Sequence, residues 1–472
     1  MSRSTAVSAM MLALLSSGTA SAQGAAPRPD QLAYRHLLKE LVETDTSVAT
    51  GSCTLAAQKI AARLKAAGYA DDQVTPFVAD GFPLDGGLVA ILPGRSRTAK
   101  PMLLLGHLDV VNARREDWQR DPFGFVEEKG YFYGRGTADM KALVAIWVDT
   151  FVRLKKERYR PVRTIKLALT CGEESGARMN GVEWLAKNRP QLIAAEFALN
   201  EGGGGDTDGR GKLVSQSLQV GEKSNRSFDL QTTNPGGHSS IPIADNAIYQ
   251  LSDALGKIRA LTFPVRFNET TRAFFTQVGR RRADDIGRAM VRLANDPADR
   301  AAEAIVSVDR GYNSMLRTTC VATMIEGGHA VNALPQRAKA TVNCRIAPGD
   351  DGDTTRVALM QAIGDPKVSV TMVGRLRPVA VPPPLDAKIV KPAEQLVARY
   401  FPGAPLIPTM STGATDATYL APIGIPTYGV PGPWGDPDGN GAHGLNERME
   451  VRSVYVGRDF LYDLVKVYAA AK

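Results

Sequence analysis

The chain is poor in the residues that would tie it to several large classes of function. Only four of its 472 residues are cysteine and five are histidine. Four cysteines (Cys53, Cys171, Cys320 and Cys344) are too few for a disulfide framework to stand in for a core at this length, and their spacing is not that of a zinc ribbon. The sequence leaves their pairing open, a Cys320–Cys344 bridge between neighbouring strands being one option. No apolar run in the body of the chain approaches the ~18 residues of a membrane span, so no membrane partner is expected. Charge of one sign is lacking too. The chain has 57 Lys+Arg against 49 Asp+Glu, a net +8 with no basic run able to track a phosphate backbone, which argues against nucleic acid. Glycine (45) and proline (29) are scattered, which excludes collagen-like and low-complexity material.

What is present is a globular composition, 44% hydrophobic and 22% charged, on a chain too long for one ordinary core. The opening, MSRSTAVSAMMLALLSSGTASAQG, sets Arg3 before a short apolar stretch and ends in Ala20 and Ala22 ahead of Gln23. That order is a secretory signal peptide over residues 1–22, and it predicts a secreted or periplasmic protein.

Helical periodicity covers 31–44 and 54–67, and short apolar runs at 87–92 and 102–105 read as strands. A helix over 140–155, a strand over 164–170, a helix over 181–188 and a strand over 196–200 follow. This alternation predicts an α/β fold, a mixed, mostly parallel sheet flanked by helices. Near Gly221 the character changes. Strand, helix, two strands, helix, strand is the order of an α+β open-faced sandwich, interrupted by a charged, helix-prone stretch over 270–310. The α/β pattern resumes at 392. The predicted organisation is an α/β domain in two parts, 23–222 and 377–472, with a second domain inserted at 223–376.

Five short segments carry chemistry. His107 and Asp109 follow a buried strand and, two apart, project together at its C-terminal end. A carboxylate beside an imidazole can orient a metal-binding histidine, although a single His-x-Asp is also a common structural pair. Asp139 lies in the glycine-rich turn GRGTADMK, which has neither Walker nor dinucleotide spacing and could serve as a plain helix cap. Glu173 and Glu174 adjoin at a strand end, where paired carboxylates are costly unless a cation or proton separates their roles. Glu201 precedes four glycines, and His443 lies in the loop GAHGLN. Together these are two imidazoles and several carboxylates at one sheet edge, a donor set for a pair of zinc or other divalent ions. Thiolates are absent from it, which disfavours an iron–sulfur site.

Taken in order, GHLDVV, GRGTADMK, CGEESG, NEGG and HGLNE resemble the five signatures of the cocatalytic zinc peptidases, the family of aminoacylase-1, carboxypeptidases G and S, succinyl-diaminopimelate desuccinylase and acetylornithine deacetylase. The resemblance spans nearly the whole mature chain. It includes PGGHSS around His238, GG…NALP around Asn332, VNCR with Arg345, and STGATD with Gly413. It implies two zinc ions, one held by His107 and Glu201, the other by Glu174 and His443, with Asp139 bridging. It implies Asp109 as the orienter of His107, and Glu173 as the general base toward a metal-activated water. His238 on the lid would stabilise the oxyanion, in many relatives across a homodimer. Arg345 and Asn332 would grip the substrate, and Gly413 would line the pocket. The inserted domain would then be a lid and dimerisation domain, with a stretch over 270–310 longer than compact lids carry. His36 and His329 match no ligand position and read as a surface helix residue and a loop residue. The implied activity is hydrolysis of an amide next to a free carboxylate, in a small peptide or an N-acyl amino acid. A non-catalytic metal-dependent binder on the same fold is the alternative, and Glu173 and His238 have no purpose in one. A phosphoesterase ranks below both, for want of a second Arg or Lys cluster.

Overall fold

The computed structural model describes residues 26–174, 179–208 and 210–471. The signal peptide expected at 1–22 lies outside them. Among the described residues no helix is long and apolar enough to cross a membrane.

The strand Met102–His107 shows why the sheet forms where it does. Every residue in it is buried, and its side chains alternate between two cores. Met102 and Leu104 join the larger cluster with Trp147, Phe151 and Phe460, whereas Leu103 and Leu105 join a smaller one with Phe77, Leu185 and Leu420. Helices therefore cover both faces, as a continuous apolar strand requires. The sheet has nine strands. From one edge its order is Val74–Phe77, Gly87–Leu92, Ile165–Thr170, Met102–His107, Phe197–Asn200, Thr427–Gly429, Leu213–Glu222 and Leu406–Ser411, with Gly204–Thr207 added onto Leu213–Glu222. Its centre is parallel: Met102–His107 runs with Ile165–Thr170 and with Phe197–Asn200, which runs with Thr427–Gly429. The outer pairs Val74–Phe77/Gly87–Leu92 and Gly87–Leu92/Ile165–Thr170 are antiparallel, and between the first two strands the chain turns back without a crossover helix.

The chain leaves this sheet after Glu222 and builds a second, antiparallel one in the order Thr319–Gly327, Arg337–Ile346, Ser224–Thr233, Ser369–Val373. Burial alternates strictly along Ser224–Thr233, so one face packs and one does not. Helices Ala247–Ala260 and Gly352–Ile363 cover the packed face, with Phe228, Leu230, Leu251 and Leu359 in the core between. The charged stretch folds as four helices, Glu269–Arg281, Asp285–Asn295, Arg300–Val306 and Arg310–Leu316, around Phe275, Met290 and Leu293. All four cysteines are paired. Cys320–Cys344 joins directly opposed strand residues, and Cys53–Cys171, which no sequence signal indicated, ties the start of helix Cys53–Ala66 to the end of Ile165–Thr170.

Candidate metal centre

Three strand ends of the large sheet deliver the chemistry. His107 is the last residue of its strand, Glu173 and Glu174 lie three and four residues past the end of Ile165–Thr170, and Glu201 directly follows Phe197–Asn200. Asp139 arrives from the turn before helix Lys141–Lys156. That helix is capped at Met140, so Asp139 is not its N-cap and its carboxylate is free for another task. His443 comes from the C-terminal loop with φ of 58°, a left-handed conformation that costs a non-glycine residue about 1–3 kcal/mol and clusters at functional sites.

These side chains converge. The two oxygens of Asp139 are divided between the imidazoles, Oδ1 lying 3.2 Å from His107 Nε2 and Oδ2 3.0 Å from His443 Nε2. Glu201 Oε1 is 3.6 Å from His107 Nε2, and Glu174 Oε1 is 2.9 Å from His443 Nε2. Asp139 is thus shared by a His107–Glu201 group and a His443–Glu174 group, each compact enough for one cation. Glu173 lies with His107 and Glu174 in a third such group.

Hydrogen bonding fixes what the first group needs. His107 Nδ1 is 2.9 Å from the main-chain carbonyl of Asp109, which can only accept, so Nδ1 carries the ring proton. The Nε2 lone pair then faces carboxylate oxygens on Asp139 and Glu201. Acceptors in that arrangement repel unless a positive charge, a proton or a cation, lies among them. Burial works against a proton on His107, yet Glu201, Asp139 and Asp109 outweigh it and hold its pKa well above the imidazole range. Hydrogen bonds from Asp139 and Glu174 likewise push His443 up to about 10. Burial raises Glu173, with Glu201, Asp416 and Glu174 adding to the effect and His107 opposing it. A cluster this acidic, with two imidazoles aimed into it, suits borderline divalent cations of the zinc type.

Asp109, expected to orient His107, lies against its Nδ1 with the main-chain carbonyl at 2.9 Å and the carboxylate at 3.7 Å. The carboxylate accepts the backbone N–H groups of Glu173 (3.4 Å) and Glu174 (3.0 Å) and so positions that pair.

The remaining predicted residues lie outside these groups. Arg345 is half-buried on Arg337–Ile346, opposite Asn225 and Thr319, and senses the charge of Glu173. Gly413 accepts the N–H of Lys223 at 3.2 Å. His238 and Asn332 are exposed, and their loops meet through the Ser239 N–H on the Asn332 carbonyl (3.0 Å). The ring of His238 bonds within its own loop, Nδ1 accepting the Ser240 N–H at 3.1 Å, and the structure does not bring it to the carboxylates. His36 is exposed on helix Pro29–Val42, and His329 is exposed between strands.

Two supporting residues carried no assignment from sequence. Glu447, fully buried, accepts the N–H groups of Gly136 (2.9 Å), Ala138 (2.7 Å) and Asp139 (2.9 Å) and pairs with Arg135 at 2.7 Å. Arg135 in turn donates to the Gly444 carbonyl at 2.8 Å, so the pair locks the Asp139 turn to the His443 loop. Its place in HGLNE was the available signal. Asp416 accepts from Asn180 Nδ2 (2.5 Å) and the Thr170 hydroxyl (3.2 Å), bracing the loop that bears Glu173.

Residues 103–467 match the model of peptidase family M20/M25/M40. Over 379 residues the chain is 27% identical to N-fatty-acyl-amino acid synthase/hydrolase PM20D1 of Xenopus tropicalis, covering 79% of this chain and 73% of that one. Over 382 residues it is 27% identical to probable carboxypeptidase S-like 2 of Dictyostelium discoideum, covering 79% and 72%. An M20-family metallo-carboxypeptidase from Sulfolobus solfataricus has the same fold, with a TM-score of 0.72 and 18% identity over 93% of this chain and 99% of that one.

Proposed function

The chain belongs to peptidase family M20/M25/M40 and is a peptidase or amidohydrolase; from that premise we propose that it is a two-metal hydrolase of amide bonds next to a free carboxylate. The observation that carries this reading is the division of Asp139 between two histidine–carboxylate groups. His107 and Glu201 would hold one zinc-type cation and Glu174 and His443 the other, with the carboxylate of Asp139 available to both. When bound, the cations supply Lewis acidity and lower the pKa of water.

The protein's own groups do the rest. Glu173, its ionised form disfavoured by burial, takes a proton from the attacking water and delivers it to the amine nitrogen as the C–N bond breaks. Arg345 binds the substrate carboxylate, an anion suited to a guanidinium fork. Asn332 and Gly413 line the remaining approach, and His238 stabilises the oxyanion. The segment 223–376 acts as a lid. The ring of His238 bonds to Ser240, and Val321, Met324 and Ile325 are exposed on the edge strand Thr319–Gly327. Both features support a homodimer through that edge in which His238 serves the partner's site. The substrates are small peptides or N-acyl amino acids, and the leader 1–22 directs the protein to the periplasm or outside.

Chelation should abolish hydrolysis of free-carboxylate dipeptides and N-acyl amino acids. Glu173→Gln should keep its metal and lose about 10²–10⁴-fold in kcat. Full activity in that variant refutes the assignment of the base, and turnover without metal refutes the centre.

A further inference from the structure

A cavity of about 470 Å³ opens within the segment 223–376. That volume falls in the range of about 300–1,000 Å³ usual for small-molecule sites. It lies where helix Ala247–Ala260 ends, against helices Arg300–Val306 and Arg310–Leu316 and the start of strand Thr319–Gly327. None of the candidate metal ligands lines it.

The charge of this wall is lopsided. Arg259, Arg300 and Arg317 line it against one acid, Glu303, which leaves an excess of two positive charges. Glu303 is already engaged, its oxygens bonding Arg300 Nη1 and Arg317 Nη2 at 2.7 Å each. Arg317 is buried and firmly held, Nη1 donating to the Phe263 carbonyl at 2.9 Å and Nη2 to the Ser307 hydroxyl at 3.3 Å. Its Nε–H has no partner among the described residues. Arg259 is exposed, and its side chain too is without a bond among the described residues.

The neutral groups of the wall add donors. Ser307, Thr318 and Thr319 each accept an N–H on the side-chain oxygen, from Arg317, Ala347 (2.9 Å) and Lys223 (3.4 Å) respectively. Each therefore keeps its own O–H to give. Guanidinium and hydroxyl donors around one space, with the carboxylate of the wall engaged, favour an anion rich in acceptor oxygens.

We infer that this cavity binds a phosphate group, free or as the monoester of a small polar molecule. At neutral pH such a group carries about −1.5 to −2 charges, which matches the excess on the wall. It also accepts from several donors at once, where a carboxylate offers only two oxygens. The bound anion ties helix Arg300–Val306 to the start of the strand on which Thr319 lies opposite Arg345. Binding needs neither the metal centre nor turnover, so it stands apart from the hydrolase reading above.

The test is titration calorimetry of the metal-loaded full chain with inorganic phosphate, glycerol 3-phosphate and succinate at low ionic strength. Both phosphates should bind more tightly than succinate, a dianion whose charges lie apart. Arg259→Gln/Arg300→Gln alters two exposed side chains and should lose about 10–100-fold in phosphate affinity, the cost of charged hydrogen bonds to the anion. Arg259→Gln alone breaks no bond of the folded protein and should lose about tenfold, which keeps the test decisive if the double variant is unstable. Tighter binding of glycerol 3-phosphate marks the ester as the ligand and equal binding the free ion; either upholds the site. No saturable phosphate binding, or a preference for succinate, overturns the inference. So does phosphate affinity unchanged in the variants, which would place the anion at the metal centre or elsewhere.

Discussion

The sheet edge that carries the candidate metal centre and the inserted segment 223–376 are built on opposite terms. At the edge every group is held by another: Glu447 holds the turn of Asp139, Asp109 holds Glu173 and Glu174, and Asp416 braces their loop through Asn180. In the segment 223–376 the helices and sheet share a packed core, yet His238 and Asn332 are exposed, the ring of His238 bonding to Ser240. On the proposed reading, the groups for metal binding and proton transfer lie together within one chain, whereas the ring of His238 bonds to Ser240 and not to them. Rigidity lies where charge must be concentrated, and freedom where substrate must enter.

The strongest way to break this contrast is through His238. His238→Ala should cost about 10²–10³-fold in kcat, as loss of an oxyanion donor does, without changing metal content. Mixing it with Glu173→Gln under conditions of subunit exchange should restore about a quarter of the parental activity, since half the dimers then hold one intact composite site. Absence of rescue would return the lid's contribution to a single chain. A smaller effect is expected on the other side of the comparison. Glu447→Gln keeps the shape but weakens the charged acceptance of three N–H groups, and metal affinity measured by competition with a chelator should fall about 10–100-fold. Unchanged affinity would mean that the Asp139 turn needs no such support.

The smallest effect lies at the junction of the two regions. Glu222 ends the last large-sheet strand before the lid and accepts the Thr415 N–H (2.9 Å) and hydroxyl (2.8 Å). Burial nevertheless pushes its carboxyl up to about 8. The folded protein thus holds this proton more tightly than the unfolded chain, so the contribution to stability is greatest at low pH and is lost as pH rises from about 4.5 to about 8. Glu222→Gln should remove that decline, raising Tm by a few degrees at pH 8 and little at pH 4.5. A parallel pH profile for the two proteins would show that Glu222 is not the titrating group.

The unequal construction also explains what could be read from the sequence. Ligands at strand ends were legible because each follows an apolar run with a clear period: Leu103–Leu105 before His107, and Leu167–Leu169 before Glu173. The inserted sheet was legible from its alternation along Ser224–Thr233. Strand Leu213–Glu222 was not, because LVSQSLQVGE mixes buried Gln216 and Gln219 with apolar residues and shows no clean period. The work of Glu447 and Asp416 depends on main-chain and side-chain donors far away along the chain, which no local pattern encodes. The bonds of the Asp109 carboxylate to the Glu173 and Glu174 N–H groups were hidden for the same reason, these partners lying 64 and 65 residues away. The pairing of Cys53 with Cys171, 118 residues apart, likewise required the fold.

The central claim is that Asp139 joins two metal sites, and metal stoichiometry tests it most directly. After loading with zinc and removal of excess, mass spectrometry of the purified chain should find two metal ions per chain, and one in His443→Ala with the His107 site intact. A single metal ion in the parent protein, or two held undiminished by His443→Ala, would contradict the account.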